Sequence, residues 1–255
     1  MEEKLKSVLG SLLQKYRNQL SLFLKTVLFA VFLFVCGSGG FYILDSLIFL
    51  VVATALYSRP LLERYPTKSA FFVLLPTAMI SLQMIEGTSL VLPATIFFSV
   101  VFYLILGIKN FMFIRRSRLY YVSALMLFYP VFNLFFLADK SELFLVKYGL
   151  VFLTSYLLLR EWLALISTFQ YPERERVAAL LGAFLLLQLL WATALLPIGF
   201  LNSANLMLLF TFVIAELLVN HFLGTINKNF LIQHGVFFGI LFAIIYWTSS
   251  WVLKY

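Results

Sequence analysis

The sequence predicts an all-α fold, a polytopic transmembrane helical bundle of about nine spans, and three observations carry that expectation. The 255 residues are 63% hydrophobic and 12% charged, with a mean hydropathy of +1.00. Soluble domains are roughly 45–50% apolar and about 25% charged. Apolar runs of the ~17–25 residues needed to cross about 30 Å of hydrocarbon recur along the chain. The basic residues then fall on alternate links between those runs.

Residues 1–24 come first, as an expected interfacial amphipathic helix. Leu5, Val8, Leu9, Leu12, Leu13, Tyr16 and Leu20 recur at helical spacing, and Lys4, Lys15 and Arg17 lie off that stripe. Such a helix can sink its apolar face to the acyl boundary while lysines meet anionic headgroups, or pack on the inner rim of the bundle. Residues 25–255 are expected to form a single transmembrane helical domain. Its apolar runs are 20–38, 41–57, 69–86, 88–108, 119–138, 143–165, 177–197, 204–223 and 233–252. The links between them are short and leave no room for a soluble domain. A closed barrel is excluded because stretches such as "FLLLQLLWATALLP" do not alternate apolar with polar residues.

Charge sets the expected orientation. With the N-terminus cytoplasmic and the C-terminus outside, the inner segments hold sixteen basic residues: Lys4, Lys6, Lys15, Arg17, Lys25, Arg59, Arg64, Lys68, Lys109, Arg115, Arg116, Arg118, Arg160, Arg174, Arg176 and Lys228. Only Lys140, Lys147 and Lys254 fall outside. This is the positive-inside pattern, kept through every turn of the chain. The net charge of +8 therefore reflects topology, and nucleic acid is not an expected partner. Compact loops fit a multi-pass protein of the cell membrane, of the bacterial cytoplasmic type. No cleavable signal peptide is visible, so the first span is expected to direct insertion.

Punctuation agrees with these elements. Pro66 precedes Thr67, and Pro172 opens a helix whose first turn carries Glu173, where acidic groups suit the helix dipole. Gly87 is placed to end the third helix. Pro76, Pro93, Pro130 and Pro197 lie inside or at the ends of spans, where neighbouring helices can satisfy a freed carbonyl. "LGIKNF" (106–111) and "LGTINKNF" (223–230) close the fourth and eighth spans alike, a short match with a two-residue insertion that chance can supply.

Chemistry-bearing motifs are few. The single cysteine, Cys36, excludes an intramolecular disulfide framework and a cysteine zinc site. Gly37-Ser38-Gly39 does not match a G-x-S-G nucleophile loop, and "ERER" alternates its charges in a link rather than pairing two glutamates. His221 and His234 are thirteen residues apart, with no evident second ligand set. No metal and no cofactor is expected, and no phosphate-binding glycine loop occurs.

Ionisable residues within spans cost roughly 2.5–3.5 kcal/mol at a helix centre and are functional candidates by default. Asp45, Glu86, Asp139 and Glu142 belong near the outer surface. The candidate polar site is Glu216, Asn220, His221, Arg160 and Glu161, near the inner one. Glu216 and Asn220, four apart, share a helix face, while His221 is rotated by about 140° from Glu216. Two outcomes are open there: a proton- or headgroup-binding pocket, or a hydrated helix end where Glu216 pairs with Arg160. Secondary candidates are Gln83 and Glu86 at the outer end of the third span, and Gln188 with Trp191 in the seventh. Trp162, Trp247 and Trp251 suit interface anchors.

The leading expectation for function is a non-catalytic bundle, a subunit or scaffold of a membrane assembly. Membrane lipids, a membrane-protein partner or a second copy are the expected partners, since 29 phenylalanines and only 12 glycines favour bulky surfaces over sliding small-residue seams. The alternatives are a transporter of a small or lipidic solute with a polar site near Glu216, and an intramembrane enzyme acting on lipid headgroups.

Overall fold

The computed structural model describes residues 2–39, 43–58, 67–110, 113, 115–138, 144–167, 172–225 and 227–249, with side chains from residue 19 onward except 43, 144, 230 and 231. Outside these lie Arg59, Arg64, Pro66, Asp139, Lys140, Glu142, Trp251 and Lys254. The side chains of Lys4, Lys6, Lys15 and Arg17, and with them most of the expected amphipathic face, also lie outside.

Among the described residues there are nine helices and no strand. They are α1 (Glu2–Ser38), α2 (Ile43–Ser58), α3 (Lys68–Met84), α4 (Val91–Lys109), α5 (Arg116–Leu137), α6 (Phe144–Ile166), α7 (Pro172–Ala194), α8 (Phe200–Phe222) and α9 (Lys228–Thr248). Each apolar run overlaps one of them. Six, in α1, α4, α5, α6, α7 and α8, are long and apolar enough to cross a membrane, while Leu44–Ser58, Lys68–Met84 and Ile232–Thr248 are shorter apolar helices. The protein is thus compatible with a multi-pass integral membrane protein. α1 is continuous, so the segment expected at the interface and the first apolar run form one helix.

The local signals act where they were read. α7 begins at Pro172 with Glu173 and Glu175 in its first turn. α3 begins directly after Thr67, and Gly87, at φ 74°, takes the left-handed conformation just beyond its end. Pro76 and Pro130 lie within α3 and α5. In α4, Thr95 Oγ1 donates to the Val91 carbonyl at 2.8 Å and Ser99 Oγ to Thr95 O at 2.7 Å, so these buried hydroxyls are satisfied inside their own helix.

The chain divides into two compact units, Met1–Thr67 with Leu74–Arg116, and Lys68–Val73 with Ser117–Tyr255. In the first unit α1 packs on α4 and α2. Leu22, Phe29, Leu33 and Cys36 form the buried stripe of α1, while Leu24, Val27, Val31 and Val35 on its other side are exposed. An apolar outer face is what a helix facing lipid carries. Phe29 stacks on Phe102 with ring centroids 4.2 Å apart and an interplanar angle of 9°, and Phe49 tilts against it at 5.4 Å. At the far end of α4, buried Lys109 donates its Nζ to the Tyr57 carbonyl in the last turn of α2 and lies 4.3 Å from the centroid of the Tyr57 ring. The Tyr57 hydroxyl bonds Thr67 Oγ1 at 3.0 Å.

In the second unit α6 packs on α7, α7 on α8 and α8 on α9, with a lighter α6–α8 contact. The seam is made by Ala179, Gly182, Ala183, Leu186, Leu190 and Thr193 of α7, all buried at spacings of three and four. Gly182 lies close against both neighbouring helices. A Cβ there would stand 2.8 Å from Leu218 Cδ1 of α8 and 3.0 Å from Leu159 Cδ1 of α6. This unit holds the candidate site.

Candidate functional site

The candidate residues separate into two neighbourhoods within the second unit. Glu161, near the end of α6, is 7% exposed. Its Oε2 accepts from the Ala70 backbone N–H at 2.9 Å and from the Tyr120 hydroxyl of α5 at 2.7 Å, and its Oε1 accepts from Ser69 N–H at 3.2 Å. Ser69 and Ala70 are in the first turn of α3, whose N–H groups have no partner within their own helix. The positive end of the helix dipole meets the carboxylate there, and charge-assisted hydrogen bonds are about twice as strong as neutral ones. Glu161 therefore acts as a cap supplied by another helix. Thr67, the residue at the N-cap position itself, makes no side-chain cap bond.

Glu216 faces a different space. A cavity of about 280 Å³ opens where α5 begins and α6 and α8 end, lined by Ser117, Arg118 and Tyr121, by Trp162, Leu165 and Ile166, and by Glu216, Val219 and Leu223. Trp162 and Tyr121 stack with centroids 4.6 Å apart at 11°, and Phe212 tilts toward Tyr121 at 6.2 Å. The Tyr121 hydroxyl is buried and lies beside the Glu216 carboxylate. Asn220 Nδ2 donates to the Glu216 carbonyl at 2.9 Å and to its Oε2 at 3.4 Å, as the shared helix face requires. Asn220 Oδ1 in turn accepts from Thr225 Oγ1 at 2.7 Å.

The other expected members fall elsewhere. His221 is exposed on a different face of α8, and Arg160 is half-buried; the bonded partner of Glu216 is Asn220, not Arg160. The structure thus joins Glu216 to Asn220, joins Glu161 to α3 and Tyr120, and does not gather all five side chains. Gln83 and Glu86 are exposed and belong to the first unit. Gln188 is exposed on α7, as is Trp191 at 57%. Trp191 does line a separate cavity of about 200 Å³ at the opposite ends of the same helices, with Lys147, Tyr148 and Ser203. Buried Glu175 accepts from Ser167 Oγ, tying the start of α7 to the end of α6. Among the described residues no three His, Cys, Asp or Glu side chains converge as a metal site.

Sequence reasoning missed Tyr120, Tyr121 and Arg118. The signal was present in "RSRLYYVS", where two phenols follow a basic turn at the start of an apolar helix. Which phenol turns to Glu161 and which to Glu216 depends on helix rotation, which one sequence does not reveal. No family model, curated protein or solved structure matches the chain.

Proposed function

We propose that the chain is a nine-span integral membrane protein, N-terminus cytoplasmic and C-terminus outside, acting as a non-catalytic subunit or scaffold of an assembly in the cell membrane. In this reading residues 1–24 lie at the cytoplasmic interface and residues 25–255 form one membrane domain. The observation that supports it most is the use of the buried charges. Glu161 holds the start of α3, Lys109 the end of α2, and Glu175 the end of α6 at Ser167. Buried ionisable groups are expensive in a membrane, and groups already bonded to backbone or hydroxyl partners are poorly placed to move protons in a reaction. The test is co-purification after gentle solubilisation together with Glu216→Gln, His221→Ala and Glu86→Gln variants. A stoichiometric partner, retained by all three variants, is the expected result. A chain that purifies alone and loses its cellular phenotype on any one substitution would refute the scaffold.

A second reading is favoured by one observation, the 280 Å³ cavity beside Glu216. It is close in size to the lower end of small-molecule sites, roughly 300–1,000 Å³. In that reading Glu216, Tyr121 and Arg118 bind a solute or lipid at the cytoplasmic rim. Turnover of that ligand has less support, because His221, the base nearest in sequence, is exposed on another face.

A further inference from the structure

We propose that the cavity beside Glu216 binds the headgroup of a zwitterionic, primary-amine phospholipid of the ethanolamine type, its ammonium against Glu216 and Tyr121 and its phosphate against Arg118. The inference rests on the reading of that cavity as a binding site and names its ligand. One cavity carries both signs of charge, Glu216 from α8 and Arg118 from α5. The Glu216 carboxylate and the buried Tyr121 oxygen lie side by side on the wall of this cavity. An ammonium with three N–H donors can serve both acceptors at once, whereas a quaternary choline head has no donor to offer either. The stacked Tyr121 and Trp162 rings add electron-rich faces that favour a cation nearby. A guanidinium presents a fork that matches phosphate oxygens, and exposed Arg118 can supply it from the rim.

The surroundings favour a membrane lipid over a free solute. The cavity lies at the ends of three apolar helices, and one wall is Leu223, which is 57% exposed. In a bilayer spanned by these helices, headgroups would lie at the helix ends and acyl chains along the helices.

The test uses the full chain in mixed micelles containing equal parts of diacyl phosphatidylethanolamine, phosphatidylcholine and phosphatidylglycerol, with bound lipid quantified by mass spectrometry after delipidation. The ethanolamine lipid should be retained about tenfold over either competitor. Glu216→Gln should abolish that preference while leaving total phospholipid, and Tyr121→Phe should reduce it several-fold. Arg118→Gln should lower all three lipids alike, because every one carries phosphate. Melting temperatures separate lost binding from lost folding. Equal retention of the three lipids by the wild type overturns the headgroup assignment. If Glu216→Gln then still lowers total retention, the cavity is a binding site for something else; if no variant changes retention, the site itself is wrong. Displacement of the lipid by free phosphoethanolamine as effectively as by its diacyl form would overturn the lipid as its source.

Discussion

The Tyr120 hydroxyl donates to Glu161 Oε2 at 2.7 Å, and the same oxygen accepts the Ala70 N–H at 2.9 Å, so one buried carboxylate joins α5, α6 and the first turn of α3. Three donors converge on Glu161 from two helices other than its own. Its neighbour in sequence, Arg160, remains half-buried and outside that network.

Removing this carboxylate should destabilise the fold more than any surface change. Glu161→Ala leaves two backbone N–H groups and a buried phenol unpaired, at about 1–3 kcal/mol for each buried group left without a partner. Glu161→Gln keeps an acceptor and should cost less, while Tyr120→Phe should cost about 1 kcal/mol. Thermal unfolding in detergent measures all three. The Glu161→Ala, Tyr120→Phe double variant should melt less than additively lower, since the two residues share a bond. Strict additivity would show that they act independently.

Lys109 does the complementary task for α2, with its ammonium on the Tyr57 carbonyl and over the Tyr57 ring. A cation suits the negative end of a helix. Lys109→Met should therefore lower the melting temperature by the equivalent of about 1–3 kcal/mol, and Lys109→Gln, which keeps a donor, by less. If Lys109→Met melts like the wild type, the lysine is not holding α2.

Gly182 makes a steric prediction in which charge has no part. Gly182→Ala places a methyl 2.8 Å from Leu218 Cδ1 and 3.0 Å from Leu159 Cδ1, both inside normal contact distance. Both atoms are the far ends of leucine side chains, and half-buried Leu218 can swing aside, so the cost should be about 1 kcal/mol, the low end for overpacking, at a seam where small residues let membrane helices approach closely. Adding Leu218→Ala should restore part of the loss by opening the space the methyl needs. Unchanged melting on Gly182→Ala alone would mean that Leu218 and Leu159 turn aside at no cost.

These three positions also show what the sequence discloses and what it does not. Span-length apolar runs, Pro172 with its acidic first turn and Gly87 mark helix existence and ends, because those signals act over a few residues. The Glu216–Asn220 contact was legible for the same reason, being four residues apart on one helix. Tyr120 with Glu161, 41 residues apart, and Ser69 with Glu161, 92 apart, were not. Their meeting is decided by how α3, α5 and α6 are rotated against one another, and in an almost uniformly apolar chain every rotation buries similar hydrocarbon. Placing Arg160 and His221 in a site with Glu216 assumed rotations that the packing does not adopt.

The two cavities of the second unit supply a test of orientation. Arg118 and Leu223 lie at one end of α5 and α8, whereas Ala138, Leu195 and Phe200 lie at the opposite ends of α5, α7 and α8. If positive-inside charge sets the topology, position 118 must face the cytoplasm and position 138 the outside. With Cys36 replaced by alanine, single cysteines at Arg118 and Leu223 should resist a membrane-impermeant thiol reagent in intact cells and react once the membrane is opened. Ala138→Cys and Leu195→Cys should react at once. The spacing makes the result decisive, since α5 spans 22 residues and about 1.5 Å of rise for each carries the chain across the hydrocarbon. Equal labelling of positions 118 and 138 from outside would mean that α5 does not cross. The Glu216 cavity would then lose its cytoplasmic address, and the nine-span arrangement would fail at its fifth element.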